Sequence, residues 1–204
     1  MEKIILPICY LPPVSYVKTL IDHESRDIFM EQYEHYPKQT YRSRASILGA
    51  NGKLNLYVPV QKGRDVHTRM KEVRISYDEP WQRLHWLSLQ TAYRSSAYFE
   101  YYEDDFAPFY QTKHTFLMDF NLELTALIVK LLKANVSWAL TESYQPTYPD
   151  GKDFRQRIHP KLPPVTSSMP YRQVFADRFG FTTDLSIVDL LFNEGPQSLS
   201  KLQT

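Results

Sequence analysis

Glycine is scarce in this chain, with 6 residues in 204. No Gly-x-Gly-x-x-Gly loop, Walker-type phosphate loop or Gly-x-Ser-x-Gly turn can be found, so the common backbone cradles for phosphate and the nucleophile elbow are set aside. An anion site here must be built from side chains or helix N-termini. Cysteine is scarcer still. Cys9 stands alone, which excludes an intramolecular disulfide and a structural zinc site of the cysteine type. Charge of one sign is also missing: 24 Lys and Arg face 23 Asp and Glu. That balance argues against broad electrostatic binding to nucleic acid or to an anionic membrane. No stretch approaches the roughly 20 apolar residues of a membrane helix. The opening MEKIILPICYLPP has Glu2 in place of a basic start, and its apolar run is too short for a secretory segment. The expectation is a cytoplasmic protein with neither nucleic-acid nor membrane partners. No cofactor motif is legible, and no metal site is predicted.

Proline and tyrosine are plentiful instead, at 14 and 15 residues. Tyrosine joins a flat apolar ring to a polar tip, which suits core, pocket wall and interface alike. The length fits one domain with a sizeable core, here taken as residues 1–204.

Hydrophobic patterning predicts an α/β fold. Residues 3–10 read as a buried strand, 14–21 as a helix with apolar positions at 14, 17, 20 and 21, and 27–32 as a second strand. Together they predict a βαβ opening, parallel and right-handed. Strands at 44–48 and 53–60 flank Ala50-Asn51-Gly52, a hairpin signal, and EVRISY at 72–77 alternates like a further strand. All five are expected in one mixed sheet. Two long helical regions, 80–110 with a break near Ser95-Ser96 and 115–134, are expected to pack on it. Residues 144–170, rich in Pro, Tyr and Ser, read as a long loop beside the ligand site that forms no core of its own, with Arg155, Arg157, His159 and Lys161 adding positive charge. A helix is expected around 170–179, and an apolar helix or strand at 185–193.

Three clusters can carry chemistry. The first is EQYEHYPKQTYRSR at 31–44, directly after a predicted parallel strand, where ligands collect in α/β sheets. It holds Glu31, Glu34, His35, Lys38, Arg42 and Arg44. Two guanidinium forks, two residues apart on an extended chain, face one way and can grip phosphate or carboxylate. The second is the aromatic helix carrying Trp81, His85, Tyr93 and Tyr98, where His85 is the candidate acid/base. The third, Glu100 to Asp105, reads as a solvated acidic face. Near the C-terminus, Asp189 and Asn193 fall on one helical face and are expected to hydrogen-bond.

These pieces follow one another in a familiar order. Tyr10-Leu11-Pro12, YRSRASI at 41–47, Leu56 to Val60, then Trp81, His85-Trp86, Tyr93, Tyr98-Phe99 and Tyr102, and finally LSIVDLLFNEGP at 185–196, resemble the WbqC-like family of bacterial proteins. Leu6-Pro7-Ile8 stands where many relatives have His-Gln-Pro, and Ser43 where Asn is frequent. The resemblance implies a role in surface-polysaccharide synthesis of the O-antigen type. The reading is an enzyme, of transferase type, acting on a nucleotide-sugar or an acyl or aminoacyl donor. The alternatives are a non-catalytic ligand-binding or scaffold protein of the same pathway, and a homodimer joined through aromatic surface. In the enzyme reading an anionic small molecule is held by Arg42, Arg44, His35, Lys38 and Glu31, with Tyr10, Tyr93, Tyr98, Asp189 and Asn193 around it and His85 as base.

Overall fold

The computed structural model describes residues 2–61, 68–167 and 169–204. The βαβ opening is present. Strand β1 (Lys3–Pro7) leads through helix α1 (Val14–Asp22) to β2 (Asp27–Glu31), which pairs parallel with β1. The connecting turn is stiffened by Pro12-Pro13, and Leu11 takes a positive φ of 35°, a strained conformation for a branched residue.

The hairpin strands β3 (Arg44–Gly49) and β4 (Gly52–Tyr57) pair antiparallel as expected. They do not join β1 and β2. The sheet first expected as one is two: a four-stranded sheet in the order β5-β2-β1-β6, and the separate hairpin. The outer edge of β3 is engaged elsewhere, since the Ser186 N–H donates to the Ser46 carbonyl at 2.7 Å. Residues 72–77 are also corrected. Met70–Glu72 forms a 3₁₀ turn, and the extended stretch after it makes only isolated bridges, Val60 to Ile75 and Arg74 to Phe116. Its alternation is real, because Val73 and Ile75 are buried, but its neighbours are too short for a ladder.

The long helical region divides as read, into α2 (Trp81–Tyr93) and α3 (Phe99–Gln111), and α4 spans Leu117–Leu132. These helices pack on the hairpin, on the Met70–Glu72 turn and on one another rather than on the parallel sheet. A short strand, β5 (Ala139–Leu140), then pairs parallel with β2.

The largest correction lies in the stretch read as loop. It contains β6 (Gly151–Asp153), which pairs parallel with β1. Its polar sequence hides it, and glycine is what admits it: a Cβ at Gly151 would lie 2.6 Å from the Lys3 carbonyl oxygen. The expected helix around 170–179 shrinks to α5 (Ala176–Phe179). The apolar C-terminal run is helix α6 (Ile187–Glu194), followed by α7 (Ser198–Leu202), and both pack on α1. Gly195 ends α6 with φ 53°, its Cα so close to the Tyr98 ring that a Cβ would fall within 2.5 Å of it. Among the described residues no helix is long and apolar enough to cross a membrane.

Candidate functional site

All pairs in the four-stranded sheet are parallel. The chain steps from β1 to β2 to β5 on one side, then returns to the other side of β1 for β6. The order therefore reverses between β1 and β6. In open α/β sheets the crevice beyond the carboxyl ends at such a reversal is where ligands bind.

One face of this sheet, carrying Ile4, Leu6, Ile28 and Met30, is buried. Helix α1 reaches it, with the Tyr16 hydroxyl on the Pro7 carbonyl at 2.9 Å. The opposite face carries Lys3, Ile5 and Phe29, and it is not sealed. Lys3 is exposed and Phe29 half-buried, although central strands of a parallel sheet are normally covered on both faces. A cavity of about 230 Å³ lies there. Its sheet side is Lys3, Ile5 and Phe29, and its polar wall is Thr141, Glu142, Ser143, Gln145 and Tyr148. The Lys3 ammonium sits 5.5 Å from the Phe29 ring centre.

At the carboxyl end of the same face is a buried ionic network. Glu31 is fully buried and accepts from the Tyr33 N–H at 2.8 Å, the Thr141 hydroxyl at 3.0 Å, the Tyr148 hydroxyl at 3.3 Å and Arg155 Nη1 at 3.2 Å. Arg155 also grips Asp153 through Nε and Nη2 and donates to the carbonyls of Gln145 and Pro146. One guanidinium thus ties the segment that walls the cavity to the end of β6. Burial pushes the Asp153 carboxyl up, but the hydrogen bonds and charge of Arg155 outweigh it and hold it below its ordinary value.

Arg42, 1% exposed, continues the network. It donates Nε and Nη2 to the two oxygens of Glu34, each at 2.8 Å, and Nη2 again to the Arg155 carbonyl at 2.9 Å. This is a bidentate pair. Burial raises the Glu34 carboxyl even so, against the pull of Arg42.

The remaining predicted residues are dispersed. Arg42 faces Glu34, while Arg44 lies half-buried on the Tyr57 ring at 4.6 Å. Its Nε is buried with no hydrogen-bond partner. His85, 5% exposed, shares a hydrogen bond at Nδ1 with the Tyr10 hydroxyl at 2.9 Å. Tyr10 in turn meets the Tyr110 hydroxyl at 3.0 Å. Burial pulls the His85 pKa down to about 4. The three do not converge: Arg42 meets Glu34, Arg44 the Tyr57 ring and His85 the Tyr10 hydroxyl. His35 and Lys38 are exposed. Tyr98 is half-buried and its N–H caps the Phe192 carbonyl at 2.9 Å.

Asp189 and Asn193 form the hydrogen bonds expected of them. Asp189 accepts from the hydroxyls of Tyr93 at 2.9 Å and Tyr171 at 2.7 Å, and from Gln173 Nε2 at 2.9 Å. Asn193 donates to the Asp189 carbonyl at 2.7 Å. Burial raises the Asp189 carboxyl. Both are buried in the packing core of α6, and neither lines the cavity. Asp153, Thr141, Gln145 and Tyr148 were not singled out from the sequence. The signal that could have found them is the Tyr-Pro-Asp-Gly-Lys-Asp run at 148–153, whose Asp-Gly interrupts an otherwise polar stretch.

The sequence profile of the WbqC-like protein family matches residues 9–160. The chain belongs to this family. The matched span of this WbqC-like protein holds Arg42, His85 and the polar wall of the cavity. Among curated proteins it is similar to uncharacterized protein Rv1507c of Mycobacterium tuberculosis, 28% identical over 195 residues, covering 80% of this chain and 81% of that one. No solved structure matches.

Proposed function

We propose that this WbqC-like protein serves bacterial surface-polysaccharide synthesis from the cytoplasm by binding a sugar-bearing substrate at the open face of its parallel sheet. The carrying observation is the cavity over Phe29 on the unsealed face of the parallel sheet. An aromatic face takes the C–H side of a sugar ring, and hydroxyl, amide and carboxylate groups around it take the ring's hydroxyls. The volume suits one monosaccharide ring, with any nucleotide or acyl donor lying outside it. Under this reading the protein is a transferase and Glu142, which lines the cavity, is placed to act on a substrate hydroxyl.

A non-catalytic binding role is the second reading, and one observation favours it. His85 is buried with its Nδ1 tied to the Tyr10 hydroxyl inside the core, so the most acid/base-like residue of the chain is assigned to structure. A thermal-shift screen with free amino sugars, nucleotide-sugars and coenzyme A thioesters tests the proposal. A ligand at 100 times its dissociation constant stabilises the fold by about 2.7 kcal/mol. The shift is expected with sugar-bearing ligands and should fall in Gln145→Ala, which trims the cavity wall. A screen with no shift, or one that Gln145→Ala leaves untouched, refutes the site. Glu142→Gln separates the two readings: lost turnover with retained binding identifies the enzyme.

A further inference from the structure

The cavity over Phe29 holds a cation that no carboxylate answers. Lys3 opens β1, and its register partner on β2 is Asp27. Partners in register share a face of the sheet, so an acidic neighbour is at hand. Among the described residues, however, no ion pair joins the two. The Lys3 ammonium lies instead 5.5 Å from the centre of the Phe29 ring. Phe29 is the register partner of Ile5, so the lysine leans along its strand, away from Asp27 and over the floor of the cavity. Glu142 lines the cavity from the polar wall, and it too makes no ion pair with Lys3 among the described residues. Lys152, on the neighbouring strand β6, is by contrast already paired with Glu2 at 3.5 Å.

The place of that ammonium bears on what can stack beneath it. A sugar ring laid on Phe29 must move the ammonium off the ring face and so gives up the cation–π contact. A neutral sugar offers only a hydroxyl in return. A sugar that carries a carboxylate offers a counter-ion, and the flexible four-carbon stem lets the ammonium follow it to the rim. Its carboxylate then lies on the sheet side of the cavity, while Glu142 on the wall is left to the ring hydroxyls. We propose that the cavity selects an acidic sugar of the uronic-acid class, with Lys3 as the residue that sets the preference. The preference rests on the sugar-binding reading above and adds the charge of the ligand to it.

The test is calorimetric titration of the full chain with matched pairs that differ at C6 alone: glucuronate and glucose, galacturonate and galactose, UDP-glucuronate and UDP-glucose. In the pair whose epimer fits, the acidic member is expected to bind about tenfold tighter, the contribution of one charge-assisted hydrogen bond. The margin should shrink as salt rises. Lys3 is exposed, so its variants are expected to fold as the parent does. Lys3→Met keeps the bulk of the stem without its charge and should bring the two members of each pair to the same affinity. Lys3→Arg keeps the charge and should keep the preference. Gln145→Ala should weaken both members alike. Equal affinity within every pair in the parent, tighter binding of the neutral member, or a preference that survives in folded Lys3→Met would each overturn the role of Lys3. Neutral sugars that still bind, and still weaken in Gln145→Ala, would in that case leave the sugar-binding reading standing. Binding of no member of any pair overturns both.

Discussion

Two buried polar networks in this molecule are built on opposite principles. Around His85, the wiring is neutral: Tyr110, Tyr10 and the imidazole pass hydrogen bonds along a line among packed aromatic rings. At the carboxyl edge of the parallel sheet, the wiring is ionic: Glu31, Glu34 and Asp153 surround the guanidinium groups of Arg42 and Arg155. Neutral wiring keeps a core well ordered at small desolvation cost. Ionic wiring is expensive to bury and returns little net stability. A chain that keeps charges buried beside an open sheet face gains position from them: Arg155 holds the cavity wall, and Arg42 holds the backbone at Arg155.

The sharpest way to break this contrast is to remove one ion. Arg42→Ala leaves Glu34 buried without its partner and should cost about 3–5 kcal/mol, measured by urea unfolding. The double variant Arg42→Met with Glu34→Leu should recover most of that loss while loosening the 155–161 segment. If the single variant costs as little as a surface pair, the network is not desolvated in solution.

The second test is the acid response of the neutral network. The His85 pKa is depressed in the fold from 6.5 to about 4. The unfolded chain therefore takes up this proton first as pH falls. The stability tied to a neutral His85 is complete above 6.5 and is lost between 6.5 and 4, about 3 kcal/mol in all. The raised carboxyls of Glu34 and Asp189 titrate in the opposite sense, so the comparison is with His85→Gln, whose unfolding free energy should lack this drop. Parallel pH profiles for the two proteins would mean that His85 is open to solvent.

The smallest effect belongs to a single hydroxyl. Tyr10→Phe removes the link between Tyr110 and His85 and should cost about 1–2 kcal/mol, with the His85 resonance shifted but its pKa still low. A cost near zero would show that a water replaces the hydroxyl.

The neutral half was the more legible from sequence. The sequence pattern marks α2, α3 and α4 as helices, the apolar run left open between helix and strand is α6, and the four-residue step from Asp189 to Asn193 forecasts their shared face. The βαβ opening is equally plain, because β1 and α1 carry clean apolar patterns. The ionic half was legible only as a crowd of charges. Arg42 and Arg44 alternate on paper, but Arg42 precedes β3 in a turn, where the period of two does not apply, and its guanidinium goes to Glu34. β6 was missed because an edge strand of Gly-Lys-Asp has no hydrophobic signal at all. Its place is set by the edge of β1, far away in sequence. With β6 unseen, the reversal of strand order, the role of Arg155 and the cavity beside it were unseen as well.

That late strand also sets a timetable. A ribosome releases the chain from the N-terminus, so Lys3–Pro7 emerges early and pairs with β2 on one side only. Its other edge waits for Gly151–Asp153. Through most of translation the nascent protein carries an apolar strand with an open flank, the kind of edge that recruits neighbours. Closure of that edge is a long-range and therefore slow event. Chains halted before residue 151 are expected to lean on chaperones, and the completed chain to become independent of them once its last parallel strand docks.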